Sequence, residues 1–300
     1  MLSTGKKSES SKPIITIEPS IEFSSAPPPP PPSPPWNELP DDLTANILQR
    51  LDAEERLESA QLVCSTWWRV CKNPAMWRVI DVCISRCEYN KFDNICCRAV
   101  DRSQGQLVEL KIAGPLSGWL IYYVAVRSSQ LRRLTLEGLC TVDLSEAIEI
   151  LPQLKELHLY MMNTLDPEDV ETIGIACPML KSFTYCNDCA DHPEFSDHAV
   201  AIGNTMPNLS HLQINGLLLE NSGLEAILNG CPNLELLDLG ECSGLDLRGD
   251  LGARCFEQIK DVRLPNLCRD LDNDSELSDY WNPNYDDNYS IGDCEYEYDI

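Results

Sequence analysis

Four residues in one short stretch carry side chains suited to holding a metal: Cys186, Cys189, His192 and His198, spaced C-x2-C-x2-H-x5-H. Two thiolates and two imidazoles form the donor set of a closed tetrahedral zinc site. The spacing argues against one, because a structural zinc site ordinarily separates its ligand pairs by a longer run of chain. Asp188, Asp191 and Asp197 also interleave the four, which marks a polar surface insertion. No metal or other cofactor is therefore expected. Cys186 and Cys189 alone form a C-x-x-C, but no strand-to-helix redox context surrounds them.

No other pattern suggests catalysis. The chain lacks a glycine-rich phosphate loop, a nucleophile elbow and an H-E-x-x-H, and its four histidines stand at 158, 192, 198 and 211. With 48 acidic residues, nearby carboxylate pairs arise without any catalytic role. The chain reads as non-enzymatic.

The elements that must carry these residues repeat. Leucine or isoleucine opens successive units at Leu107, Leu131, Leu154, Leu180, Leu209, Leu234 and Ile259, at spacings of 24, 23, 26, 29, 25 and 25. Three and five places on stand further apolar residues, for example Leu134 and Leu136, Phe183 and Tyr185, and Leu237 and Leu239. Eight places on, Leu139, Met162, Leu217, Cys242 and Leu267 continue the pattern, with Pro115 and Asp188 as exceptions. Such a period leaves room for one short strand and one helix per unit. Helices are expected within Asp166 to Ala176, Ser196 to Thr205 and Asn221 to Asn229. Pro152, Pro178, Pro207 and Pro232 each fall two residues before the next opening leucine and end the helices.

Strand alternation turns the second, fourth and sixth places of each unit outward. Stacked in register they form one surface, on which Arg133, Glu156, His158, Tyr160, His211, Gln213, Asp238 and Arg263 are the candidate contacts for a protein ligand. Ser182, Thr184 and Cys186 share those outward places.

Ahead of the repeats, residues 36–81 read as a compact helical module. Asp41 or Asp42 suits a cap for a helix carrying Leu43, Ile47 and Leu51 on one face. Asp52 and Glu55 form a capping-box pattern, and Asn73-Pro74 suits another helix start. Leu39-Pro40, Ile47-Leu48, Leu51, Leu57, Val63-Cys64, Trp67 and Trp77 resemble the F-box, with departures at Arg56 and Ser65. The repeats resemble the cysteine-containing leucine-rich repeat often found behind an F-box, most clearly in CPNLELLDLGEC at Cys231 to Cys242.

That resemblance implies an α+α/β architecture: a small three-helix F-box, then a curved solenoid with parallel strands on its concave side and helices on its convex side. It also implies a substrate-recognition subunit of an SCF-type cullin ubiquitin ligase. Leu39, Pro40, Leu43, Ile47, Leu48 and Leu51, with Val63 and Trp67, would form or support the surface that meets a Skp-type adaptor, and through it cullin and RING subunits. The repeats would hold the client protein. A different class of reading is a non-catalytic scaffold whose helical head only caps the solenoid through Trp77, Val79, Ile80 and Val82.

Composition bounds the rest. A formal net charge of -25 opposes nonspecific binding to nucleic acid or anionic membranes. Pro13 to Ile17 is too short for a secretory leader, and Pro115 to Val126 is too short to span a bilayer. The 15 cysteines are then expected as reduced thiols in the cytoplasm or nucleus, with Cys177, Cys231 and Cys242 as small core hydrophobes. Residues 1–35 read as a disordered tail ending in a polyproline spacer, residues 82–268 as the solenoid, and residues 269–300 as an acidic tail with eleven Asp or Glu.

Overall fold

Apolar places three and five of each unit point to one side of a strand, and burying that side needs a second layer. The computed structural model of the chain, which describes residues 39–84, 91–139, 144–161, 165–187 and 193–265, supplies that layer as helices. Within the described residues the strands are β1 (Val79–Cys83), β2 (Glu109–Ala113), β3 (Arg133–Leu139), β4 (Glu156–Met161), β5 (Ser182–Asn187), β6 (His211–Asn215), β7 (Leu236–Asp238) and β8 (Asp261–Arg263). They lie in chain order in one sheet, every neighbouring pair parallel. Parallel neighbours require a crossover, and the solenoid supplies α4 (Phe92–Ser103), α5 (Gly118–Arg127), α6 (Ser145–Glu149), α7 (Pro167–Ala176), α8 (Ser196–Thr205), α9 (Asn221–Gly230) and α10 (Asp250–Gln258). None of the described helices is long and apolar enough to cross a membrane.

The register aligns the core into files. Leu110, Leu134, Leu157, Phe183, Leu212 and Leu237 are successive partners, and all are buried. Ile80 pairs with Leu110 and Val82 with Ile112, so β1 carries the end of the helical module into the same files. That strand starts at Val79, inside the range assigned above to the module. Each buried leucine contributes about 1.5–3 kcal/mol relative to exposure, so the files are the main source of stability.

Cys177, Cys231 and Cys242 belong to this core. The Cys177 thiol donates to the Leu151 carbonyl at 3.7 Å, Cys231 to Met206 at 3.5 Å and Cys242 to Ile214 at 3.0 Å. Burial pushes these thiols up to about 12, 11 and 12, which leaves little thiolate at neutral pH. Each satisfies a carbonyl of the preceding repeat.

The module consists of α1 (Asp41–Leu48), α2 (Ala53–Glu58), a 3-10 turn at Ala60–Leu62, α3 (Ser65–Lys72) and a second 3-10 turn at Pro74–Trp77. The capping box forms as the sequence predicts: the Glu55 amide donates to Asp52 Oδ1 at 2.8 Å, and the Asp52 amide to Glu55 Oε2 at 3.3 Å. Asn73 Oδ1 accepts from the Ala75 amide at 3.0 Å. The expected cap at Asp41 or Asp42 does not form. Helix α1 starts at Asp41 behind Pro40, and both carboxylates stand in its first turn, where the positive end of the helix favours them. Asp41 instead pairs with Arg69 of α3 at 2.5 Å.

The joint between module and solenoid is a set of arginines on helix ends. From α4, Arg98 reaches Glu58 at 3.1 Å and the Leu57 carbonyl at 3.4 Å, while Arg102 reaches the Cys71 carbonyl at 3.2 Å and Gln61 Oε1 at 3.0 Å. Trp77 Nε1 donates to the same Cys71 carbonyl at 2.8 Å. The last carbonyls of a helix lack partners within it, and cations at that end also meet its negative pole. The first solenoid helix thus completes α2 and α3.

Candidate interaction surfaces

Two surfaces carry the residues singled out from sequence. On the module, Leu43 is 48% exposed, Ile47 37%, Leu62 75%, Val63 61% and Trp68 51%. Pro40 is exposed, while Leu39, Leu51 and Trp67 are half-buried. Leu48 is wholly buried and packs in the core, so its part is to support α1. The Arg69–Asp41 pair ties α1 to α3, and the arginine holds the Asp41 carboxyl below its ordinary value. Leu62 and Trp68 were not among the predicted contacts. Their signal was present in the apolar run Leu62, Val63, Trp67 and Trp68, which exceeds what so small a core can bury.

On the strand face, outward places line up across the sheet. Arg133 sits between two carboxylates contributed by neighbouring strands, 2.7 Å from Glu109 and 2.5 Å from Glu156. The hydrogen bond from Arg133, followed by its charge, outweighs burial and lowers the Glu156 carboxyl. His158 Nδ1 is 2.8 Å from Thr184 Oγ1, and burial is the leading cause that lowers its imidazole. Lys111 meets Glu137 at 2.7 Å.

Tyr160 is 37% exposed, His211 is exposed with Nδ1 2.8 Å from Ser210 Oγ, and Gln213 is half-buried. Alternation overstates the openness of the middle and end of this face. Thr184 and Cys186 are buried, and Asp238 is nearly so, its Oδ1 accepting from the Gly240 amide at 3.0 Å while Arg263 lies 3.5 Å from Oδ2. The structure therefore brings Arg133, Glu156 and His158 into one group, and Asp238 with Arg263 into another.

The possible metal ligands are divided differently. Cys189 and His192 lie outside the described residues, as do both tails, Met162, Asp188 and Leu267. His198 is buried, stacked 4.5 Å from Phe195, and its Nε2 donates to the Leu165 carbonyl at 2.6 Å. That bond fixes it as a member of the α8 core contacts. Among the described residues no three His, Cys, Asp or Glu side chains are grouped to hold a metal ion.

The F-box-like family matches residues 36–83, the module and its run into β1. The repeats are included in a longer similarity: this chain is 43% identical over 268 residues to Putative F-box/LRR-repeat protein 22 of Arabidopsis thaliana, covering 86% of this chain and 83% of that protein. The chain belongs to the F-box/LRR-repeat family. Similarity to F-box protein SKIP19 of the same organism is 44% over 240 residues, covering 77% of each chain. Putative F-box/LRR-repeat protein 23 of that plant is 43% identical over 243 residues, or 77% of this chain and 53% of that protein. In F-box/LRR-repeat terms, the first surface lies on the F-box and the second on the concave face of the repeats.

Proposed function

We propose that the chain is the substrate-recognition subunit of an SCF-type cullin ubiquitin ligase, active in the cytoplasm or nucleus. The F-box docks a Skp-type adaptor, which joins it to cullin and RING subunits, and the repeats hold a client protein. The observation that carries this reading is the set of exposed apolar side chains Leu43, Ile47, Leu62, Val63 and Trp68 on so small a module. Scattered exposed leucines are ordinary, whereas several large apolar groups on α1, on α3 and on the turn that leads into α3 mark a surface that a partner covers. Capping the solenoid is a separate duty of the module, performed by the wholly buried Trp77 and Ile80, and it makes no use of this outer set.

Catalysis then belongs to the assembled ligase. This chain supplies proximity: it fixes the client beside a ubiquitin-loaded enzyme and raises effective concentration, without acid, base or nucleophile of its own. The test is capture of a purified Skp-type adaptor by the full chain and by Leu43→Asp/Val63→Asp. Loss of capture with an unchanged melting temperature is expected. Undiminished capture by that variant would sink the adaptor surface. Leu48→Ala serves as the contrast, since a buried leucine truncated to alanine costs about 2–5 kcal/mol of stability.

A further inference from the structure

One row of the sheet departs from the acidic character of the chain. Arg132, Lys155, Lys181, Ser210, Glu235 and Lys260 each follow the opening leucine or isoleucine of a repeat, at the rim where the strands begin. The first five stack directly. The Lys155 amide donates to the Arg132 carbonyl, the Lys181 amide to Lys155, the Ser210 amide to Lys181 and the Glu235 amide to Ser210, all at 2.8 Å. Successive main-chain positions in the row therefore stand one inter-strand spacing apart, about 4.8 Å.

The first three are cations in adjacent repeats, in a chain with 48 acidic residues against 23 basic ones. Among the described residues none of the three has an ion-pair partner, although Arg133 and Lys111 on the neighbouring concave face are each matched by Glu. Like charges held this close repel one another, and an anionic ligand relieves that repulsion while gaining its own attraction. The three cations are thus a place where charge complementarity is incomplete among the described residues.

A second feature adjoins them. A groove of about 700 Å³ opens beside Lys181, with Pro178, Met179 and Pro232 among its walls and Lys260 at its far end. Asn208 and Asn233 also line it, and their side-chain amides donate to the Pro178 and Pro207 carbonyls at 3.1 and 3.2 Å. Met179 is 42% exposed and offers an apolar contact. Lys260 is neutralised by Glu235 at 2.9 Å, so the unmatched charge is concentrated at the Arg132 to Lys181 end.

We infer that this rim receives an extended, carboxylate-rich segment of the client, its acidic side chains over Arg132, Lys155 and Lys181 and an apolar side chain in the groove against Met179. The inference rests on the reading of the chain as a client receptor and assigns the client's recognised segment a chemistry. An extended segment suits a row of cations repeated once per strand, and the overall negative charge of the chain confines the attraction for an acidic segment to this rim.

The experiment uses the full chain bound to its adaptor and fluorescence anisotropy of labelled twelve-residue peptides. One peptide is built of Glu and Leu, a second replaces Glu by Gln, and a third replaces Glu by Ser with one phosphoserine. Unlabelled residues 269–300 and a single-stranded RNA serve as competitors. The expected result is binding of the Glu peptide, weakened at least tenfold by Arg132→Glu/Lys155→Glu/Lys181→Glu and weakened also by added salt, with no binding of the Gln peptide. Lys155→Gln/Lys181→Gln, a milder change, should give an intermediate loss if the triple variant proves unstable.

Equal binding of the Glu and Gln peptides, an unchanged affinity in both variants, or binding of the phosphoserine peptide alone would overturn the assignment. Displacement by RNA at lower concentration than by unlabelled Glu peptide would overturn it in favour of nucleic acid. Tighter binding of residues 269–300 than of the Glu peptide would overturn it in favour of the chain's own tail. Adaptor capture by the triple variant should remain intact, so failure of the rim is separable from failure of the F-box reading.

Discussion

The Arg56 guanidinium lies over the Trp77 ring, 4.5 Å from its centroid, and both side chains are buried. Arg56 Nη1 donates to the Met76 carbonyl at 2.8 Å and Nε to the Asp52 carbonyl at 3.3 Å. Burial is the leading cause lowering its pKa, yet arginine stays cationic at neutral pH. The contact therefore joins a cation–π stack to two charge-assisted hydrogen bonds, and it anchors the turn that feeds β1.

Arg56→Ala is expected to lower stability by about 2 kcal/mol, because the Met76 carbonyl loses its charged donor and Trp77 loses a stacking partner. Arg56→Lys should recover little of that loss, since an ammonium lacks the planar fork that stacks and donates together. Denaturant midpoints of the two variants check this. Full recovery by lysine would show that charge alone matters at this site.

The burial of Arg56 is not encoded in its local sequence. A lone arginine in an amphipathic helix looks like part of a solvated face, and its burial depends on a carbonyl twenty residues further on. The strands, by contrast, were legible from Leu134, Leu157 and Leu212, because a leucine file repeated at one period has a single geometric solution. The outward face was legible in identity but not in depth. Alternation assigns Thr184 and Cys186 to the same side as Tyr160, whereas the first two are buried and Tyr160 is exposed. The apparent cap at Asp41 failed for a related reason: its carboxylate found Arg69 in α3, a partner set by packing and invisible in local spacing.

The arginines of α4 bridge the helical module and the solenoid. Arg98→Ala/Arg102→Ala removes the side-chain donors to the Leu57 and Cys71 carbonyls while leaving the outer apolar surface untouched. Adaptor capture should be unchanged, whereas hydrogen exchange at the ends of α2 and α3 should accelerate. In a reconstituted ligase, ubiquitin transfer to a bound client should slow severalfold, because effective concentration falls when the client is less firmly placed. Unaltered exchange together with unaltered transfer would show that the joint is held by apolar contacts alone.

Acidification should act through His158 before it acts through the carboxylates. Burial outweighs the attraction of Glu156 and lowers the folded imidazole below its ordinary 6.5, while the unfolded imidazole titrates near that value. Between the two values the unfolded chain binds more protons, so stability is fully present above pH 6.5 and is lost as pH falls through the folded value. Glu156 adds a later loss, since its folded carboxyl is lowered from 4.5 chiefly by Arg133, and its contribution disappears as pH falls below that figure. Urea midpoints measured from pH 7.5 to pH 5 should decline, and His158→Gln should flatten the upper part of that decline. An equal slope in the variant would remove His158 as its source.

The convex layer depends on helices that approach backbone to backbone. A Cβ added at Gly230, at the end of α9, would stand 1.9 Å from the Gly203 carbonyl oxygen of α8, and one added at Gly203 would stand 2.4 Å from the Ala226 carbonyl oxygen. Both neighbours are main-chain atoms, which cannot rotate aside as a side chain can. Gly230→Ala must therefore push α9 away from α8, and overpacking of this kind costs about 1–3 kcal/mol. Alanine's higher helix propensity returns less than about 1 kcal/mol, so the net effect is destabilising. Gly249→Ala supplies a comparison, since a Cβ there meets nothing within 4 Å, though its φ of 92° still carries backbone strain. The denaturant midpoint of Gly230→Ala should fall, with faster hydrogen exchange localised to α8 and α9. A midpoint equal to that of the unmodified chain would mean that the two helices have room to separate without loss.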